Sequence, residues 1–392
     1  MRLLPMGNHL SKKNSRLPAY LRIAQLLRDR ITHGIYRPEE FLPPERDLAE
    51  ELGASRQTIR LAIDTLRQQG LVVPEQGRGT RILRLHPSPL AQEPSDRFHL
   101  AALVIYGMSR EGSAAIFQGC QAAMRQEDFH LIVCETARDT RARAADEAAH
   151  LRALLDKGIQ GIIIYAEPTD QNRALLQTAL ERGVQVVQID RYLPGLECDY
   201  VGVDNVTAAR EMVEHLWQAG HRRIAFLSIE PEPSSCQERL QGYKAGLRAH
   251  GIEAEPNWIA HWDGQQSGPN DLAHILARWM ALPERTTAVF AVNDSLALMI
   301  MQALRKQGVH IPEDMAVVGF DNQHLAAFVS PPLTTVQQPF VELGETAARL
   351  LLDRMAGRYS GVARRVLLST RLILRQSCGA GQSAEFVARV PA

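Results

Sequence analysis

The chain has 392 residues, 45% hydrophobic and 22% charged, which is ordinary soluble globular material and more than one ordinary domain holds. Its 44 Lys+Arg balance 44 Asp+Glu, yet residues 1–84 carry 15 basic against 9 acidic side chains, so a basic head precedes an acidic body. The five cysteines, at 120, 134, 198, 236 and 378, are odd in number and form no Cys-x-x-Cys pair, which argues against a zinc site and a disulfide framework and for a reducing cytoplasm. Leu3-Leu4-Pro5-Met6 is too short for a signal peptide, and no apolar stretch has the length of a membrane span.

In chain order, residues 1–16 read as a flexible basic leader with Lys12, Lys13 and Arg16. Tyr20, Ile23, Leu27 and Ile31 recur at helical spacing and predict an amphipathic helix that ends near Gly34. Pro43-Pro44-Glu45-Arg46-Asp47-Leu48-Ala49-Glu50 opens a second, short helix whose Leu48, Ala49 and Leu52 share a side. Gly53 supplies the permissive backbone of a tight turn, and Ser55 suits the N-cap of a third helix. In that helix Ile59, Ile63 and Leu66 form a packing stripe, while Arg56 and Arg60 lie on a different face. Leu71-Val72-Val73 and Thr80-Arg81-Ile82 read as strands of a hairpin around Gln76-Gly77-Arg78-Gly79. Residues 17–84 therefore read as a winged helix-turn-helix. Its third helix presents Ser55, Arg56, Gln57, Thr58 and Arg60 to a major groove, and its hairpin brings Gln76, Gly77 and Arg78 to the phosphates or the minor groove. Singly, each arginine is an ordinary solvated side chain. The order of helix, recognition helix and basic wing is what points to DNA.

This head resembles the GntR type of winged helix, through its proline-rich start, Glu45-Arg46-Asp47-Leu48-Ala49, Ser55-Arg56-Gln57-Thr58-Ile59-Arg60 and Gln76-Gly77-Arg78-Gly79-Thr80. The resemblance implies DNA contacts from Arg46, Ser55, Arg56, Thr58, Arg60 and Gly77. One departure is Pro44, where many members have serine; proline is tolerated in a first helical turn.

Three prolines between His86 and Pro94 deny helix and sheet continuity, so residues 85–97 read as a linker. Beyond it, apolar runs alternate with amphipathic stretches. Ala101–Ile105, Leu131–Val133, Gly161–Ile164, Val184–Val187 and Tyr200–Val203 read as strands, with helices near 113–126, 142–156 and 170–182. Arg223–Leu227, Ala288–Val292 and Met315–Gly319 begin a second series. The fold class expected is α/β: two doubly wound parallel-sheet lobes behind a small winged helix-turn-helix. Ligands in such folds bind beyond the carboxyl ends of strands, which makes a cleft between lobes the default site. Tyr106, Asp190-Arg191, Asn293-Asp294 and Asp321 fall at such ends, a set suited to neighbouring hydroxyls, and Tyr106, Trp262 and Phe340 are candidates to stack on a sugar ring. Each of these is individually an ordinary cap or loop ion pair.

Residues 98–378 are similar to the effector-binding body of the LacI/GalR family, itself similar to periplasmic sugar-binding proteins. The carrying motifs are Ile189-Asp190-Arg191, Val203-Asp204-Asn205, Gly220-His221-Arg222-Arg223-Ile224-Ala225, Glu238-Arg239-Leu240-Gln241-Gly242-Tyr243, Val292-Asn293-Asp294, Val318-Gly319-Phe320-Asp321-Asn322 and Pro332-Leu333-Thr334-Thr335-Val336-Gln337-Gln338-Pro339. The resemblance implies effector contacts from Tyr106, Asp190, Ser235, Arg239, Asp294 and Gln338, and from Asp263 at a position often aromatic. It also implies one lobe from residues 98–202 and 340–358, a second from 203–338 and 359–378, and a tail from 379. A GntR-type head on a LacI-type body is the order of the arabinose-responsive repressors, which makes a pentose or related sugar the leading effector and a nucleoside or purine its competitor.

The function expected is a cytoplasmic homodimeric repressor that leaves operator DNA when a sugar binds. No cofactor or metal is expected. A solute-binding protein for transport predicts a signal peptide and no basic head, the reverse of this chain. An enzyme predicts a nucleophile elbow, a phosphate loop or His-Glu-x-x-His, and none occurs.

Overall fold

The computed structural model describes residues 18–32, 35–36, 40–68, 71–75, 78–82, 99–127, 129–137, 140–229, 232–262, 264 and 271–379. The leader 1–16, the linker 85–97, residues 380–392 of the tail, and Gln76, Gly77 and Asp263 lie outside them. The chain divides into two compact units between Ser95 and Asp96.

The first unit holds α1 (Ala19–Thr32), α2 (Glu45–Glu51), α3 (Arg56–Gln68) and the antiparallel pair β1 (Val72–Glu75) and β2 (Gly79–Ile82). Its core is small and continuous: Leu27, Ile31, Leu42, Leu48, Ile59, Leu66, Val72 and Ile82 are buried together. Leu42 N–H donates to Thr80 O at 2.8 Å and Ile82 N–H to Glu40 O at 2.8 Å, so the segment before α2 adds to the wing's edge. Gly53 turns the chain with φ +60°, between α2 and α3. Ser55 then caps α3, its Oγ accepting from Thr58 N–H at 3.1 Å. Pro44 gives α2 no such side-chain cap; its carbonyl instead accepts from Asp47 and Leu48 N–H, at 2.9 and 3.0 Å. Ser55→Ala is expected to cost about 1 kcal/mol of head stability, read as faster hydrogen exchange at the Thr58 amide with the second unit's amides unchanged.

The second unit begins with β3 (His99–Tyr106), α4 (Glu111–Gln126), β4 (Phe129–Thr136), α5 (Thr140–Asp156), β5 (Gly161–Ile164), α6 (Asp170–Glu181), β6 (Gln185–Ile189) and β7 (Asp199–Val203). A second series follows: α7 (Asn205–Gln218), β8 (Ile224–Ser228), α8 (Ser234–Arg248), β9 (Ile259–His261), α9 (Leu272–Met280), β10 (Ala288–Ala291), α10 (Asp294–Lys306) and β11 (Ala316–Val318). The chain closes with β12 (Thr335–Gln337), α11 (Phe340–Met355), β13 (Arg365–Leu368) and β14 (Arg371–Ile373).

Two parallel sheets result, ordered β13-β7-β6-β5-β3-β4 and β11-β10-β8-β9. The alternation of side chains along β3 divides the first lobe into layers: Ala101, Leu103 and Ile105 join one core with α4 and α11, and Ala102 and Val104 join another with α5 and α6. Helices α4 and α11 touch backbone to backbone. A Cβ on Gly119 would meet Val341 O at 2.0 Å, and one on Gly344 would meet Ile116 O at 2.1 Å, so only glycine permits this approach.

One boundary differs from the sequence expectation. That expectation puts segment 359–378 in the second lobe, but β13 lies in the first lobe's sheet, parallel to β7 with Leu368 opposite Val203. The cause is Asp199 at the start of β7, fully buried, which accepts from the Arg364 backbone N–H and side chain and from Arg354. The chain therefore passes between lobes near Val203–Asn205, near Gln338, and between Leu368 and Arg371, where β14 pairs antiparallel with β12.

Candidate functional site

In the first unit, Arg56, Gln57 and Arg60 are exposed on α3 and Thr58 is half-buried, its hydroxyl 2.7 Å from that of Ser55. Arg46 is exposed on α2 and pairs with Asp47 at 3.1 Å. Arg78 is exposed at the wing tip. Arg60 is engaged side-on by Glu45, Nε to Oε1 at 3.2 Å and Nη2 to Oε2 at 2.9 Å, whereas Arg56 makes no ion pair with any described residue. The sequence reading gives the two arginines equal standing; the structure separates them.

In the second unit, β3 lies between β4 and β5, and β8 between β9 and β10, so each sheet reverses its winding direction at a strand whose carboxyl end faces a crevice. The cavity lies where the two crevices meet. It is an open cleft of about 800 Å³ when the solvent at its mouth is counted in. Tyr106, Asp190, Arg191, Ser235, Arg239, Asp321, Gln338 and Phe340, all expected from sequence, line it. Asp190 and Asp321 hold positive φ values of 64° and 124°, backbone states uncommon outside glycine that concentrate at functional sites.

The second lobe's wall is a polar network. Arg239, buried, donates from Nε to Asn205 Oδ1 at 2.9 Å and from Nη1 to Val292 O at 2.7 Å, with its guanidinium 3.8 Å from the centre of the Phe320 ring. Asp321 lies 3.9 Å from Arg239 Nη1 and accepts from Gln338 Nε2 at 2.8 Å. Burial pushes the Asp321 carboxyl above the usual carboxylate range; Arg239 draws it part of the way back. The Gln338 Oε1 atom is buried and has no hydrogen-bond partner among the described residues.

The first lobe's wall is aromatic and ionic. Tyr106 and Tyr165 meet edge to face at 5.1 Å, and their faces are covered by guanidiniums: Arg143 lies 4.0 Å from the Tyr106 centroid and Arg191 4.1 Å from that of Tyr165. Glu167 pairs with both arginines, with Arg143 at 3.2 Å. Beneath it, Glu147 accepts from Glu167 N–H and from Asn172 Nδ2 at 2.8 Å, and burial raises its carboxyl to about 8. Burial and the nearby Asp190 carboxylate also raise the Tyr165 hydroxyl.

An acid whose pKa is raised on folding binds more protons folded than unfolded, so its contribution falls as pH rises from the unfolded value of 4.5 toward 8. Denaturant melts at pH 5 and pH 8 should therefore show Glu147→Gln gaining on the native chain at the higher pH, at a slope near 1.4 kcal/mol per unit. Equal differences at both pH values would mean that Glu147 ionises normally.

Two expected ligands are placed elsewhere. Trp262 is buried in the second lobe's core with Phe226 and Trp279 and does not line the cavity. Asp294 is fully buried at the first turn of α10, accepting from Thr335 Oγ1 at 2.5 Å and Gln323 N–H at 2.8 Å, and its neighbour Asn293 reaches the cavity instead. Desolvation raises the Asp294 carboxyl, in keeping with a structural position. The sequence reading missed Arg110, Tyr165 and Gln323 in the lining. Tyr165 had a usable signal, since it stands at the carboxyl end of β5 as Tyr106 does at that of β3.

Comparison with known proteins agrees with this arrangement. The model of bacterial regulatory proteins of the gntR family matches residues 19–82, and that of a periplasmic binding protein-like domain matches residues 213–378. The HTH-type transcriptional repressor CytR of Escherichia coli (strain K12) is 32% identical over 264 residues, 67% of this chain and 74% of that protein. The arabinose metabolism transcriptional repressor of Halalkalibacterium halodurans is 27% identical over 380 residues, 94% of this chain and 98% of that one, and so spans both units. A solved LacI family transcriptional regulator from Enterococcus faecium, with bound ribose, matches with a TM-score of 0.59 and 26% identity over 71% of this chain and 98% of its own. These relatives are regulators and not enzymes. With a GntR-type winged helix ahead of a periplasmic-binding-protein-like body, the chain belongs to the LacI-type family of transcriptional repressors.

Proposed function

We propose that the cleft takes a pentose or a closely related sugar, and that its binding releases a cytoplasmic homodimer from operator DNA. The observation that carries this is the convergence of Asp190, Arg239, Asp321 and the unpartnered Gln338 Oε1 on one cavity. Carboxylate, amide and guanidinium together match adjacent hydroxyls, each of which both donates and accepts. The arabinose repressor and the ribose-bound regulator support the same class.

Lobe closure is the natural transducer, because Arg239 ties α7 and β10 to the Asp321 loop, and Tyr192 on the first lobe donates to Glu238 of α8 at 3.1 Å. For the second protomer, the exposed Leu325 and Phe328, and Ile132 and Val133 on the edge strand β4, offer apolar surface. DNA contacts come from Arg46, Ser55, Arg56, Gln57, Thr58, Arg60 and the wing.

A thermal-shift screen against pentoses, hexoses, polyols, their phosphates and nucleosides tests the effector. A ligand at 100 times its dissociation constant adds about 2.7 kcal/mol to the native state. A pentose is expected to raise the melting temperature, and a shift with nucleosides alone would overturn the sugar reading.

A further inference from the structure

We propose that Glu45 is a positioning residue for base recognition: it holds Arg60 side-on so that the opposite edge of the guanidinium meets a base. The inference rests on reading α3 as the recognition helix. A guanidinium carries five N–H groups in one plane and presents two usable edges. Glu45 occupies the Nε/Nη2 edge, with contacts at 3.2 and 2.9 Å. What remains is the Nη1/Nη2 edge, whose two donors match the O6 and N7 acceptors of guanine in the major groove.

Three further observations agree. Glu45 begins α2 while Arg60 lies one turn into α3, so the pair spans the turn between the two helices and fixes the long side chain from outside its own helix. The neighbouring acid on α3, Asp64, pairs with Arg67 at 3.2 Å, which leaves Glu45 as the bidentate partner of Arg60. Arg56, one turn earlier, has no such tether among the described residues, so the two arginines differ in preorganisation. The Arg60 side chain is 69% exposed and that of Glu45 35%, and an ion pair this wet adds little to folding. Its effect is expected in recognition, where an arginine already held in place loses less rotamer freedom on docking. The Glu45 carboxylate also repels phosphates, which penalises docking at wrong sequences more than at the right one.

The test is selection of bound duplexes from a random-sequence library, with full-length wild-type, E45Q and R60Q chains. R60Q should relax one base-pair position. E45Q should relax that same position, with its preference falling about tenfold, while the rest of the motif persists and the melting temperature stays put. A role confined to bracing the helices would lower the melting temperature and leave the motif intact. E45Q that keeps the wild-type preference, or relaxes a different position, overturns the proposal. Should R60Q relax no position, Arg60 reads no base, and both the proposal and that part of the α3 reading fail. A wild-type chain that selects no motif sinks the DNA-binding reading itself.

Discussion

Asp199→Ala is expected to cost about 3–5 kcal/mol and to loosen the edge of the first lobe's sheet. The Asp199 side chain is fully buried, and both its oxygens are taken: Arg354 Nη2 donates to Oδ1 at 2.6 Å, and Arg364 Nη2 donates to Oδ2 at 2.7 Å. The two arginines come from the end of α11 and the lead into β13, so one carboxylate pins three elements. Removing it leaves two guanidiniums facing each other in a half-buried site, where Asp353, 3.3 Å from Arg364, offsets only part of their charge. Burial works to raise the Asp199 pKa, but the hydrogen bonds from Arg354 and Arg364 outweigh it, and the net direction is down. A carboxylate depressed on folding contributes stability above its unfolded pKa and loses it as pH falls through the folded one. Wild-type stability should therefore decline at acid pH below the ordinary aspartate range, and in the Asp199→Ala variant that part of the decline should vanish. Denaturant melts of both chains across about pH 2–7 measure this. A loss under about 1 kcal/mol at neutral pH would contradict the assignment of Asp199 as the sheet's clamp.

Arg239→Gln is the second large effect, and it is functional. Arg239 joins Asn205 at the start of α7, the Val292 carbonyl at the end of β10, and the Asp321 carboxylate. Glutamine is too short to meet all three and carries no charge. Without the guanidinium the Asp321 carboxyl, already raised by burial, moves further up and favours the neutral acid, which has lost its charge and turned one oxygen from acceptor to donor. Truncating one member of a buried charge pair costs about 2–5 kcal/mol of binding, more than a tenfold loss of effector affinity. Operator binding in the absence of effector should be retained, since the head folds around its own core. Isothermal titration with the effector and gel shift with operator DNA separate the two, and joint loss would mean that Arg239 is needed for the fold instead.

The head was legible because local chemistry fixes it. Ser55 as a cap, Gly53 as a turn and the Ile59–Leu66 stripe are statements about neighbours in sequence, and their outcomes follow from neighbours in space of the same helices. The parallel sheets were legible for a similar reason, since strands buried on both faces read as continuous apolar runs. What escaped depends on long-range placement. Trp262 and Asp294 carry the right chemistry for a sugar site, yet the first packs in the second lobe's core and the second is turned under Thr335, and nothing in their spacing distinguishes inward from cleftward. Arg143, Glu147 and Glu167 form a buried ionic layer behind the cavity from α5 and the end of β5, elements 20 and 24 residues apart in the bonds that join them. The position of β13 was decided by Asp199, 165 residues from Arg364 in the chain. Pairing over such separations leaves no periodic trace.

The most direct test of the central claim is fluorescence anisotropy of a labelled operator duplex, bound by the full-length wild-type and R239Q chains and titrated with a pentose. A ligand shifts DNA affinity only by its differential affinity for the two states, so the wild-type is expected to weaken by about 5- to 150-fold at saturating sugar. R239Q should bind the duplex as tightly as wild-type and ignore the same sugar. Undiminished operator binding by the wild-type with sugar demonstrably in the cleft, or an R239Q chain that responds as the wild-type does, would contradict the account.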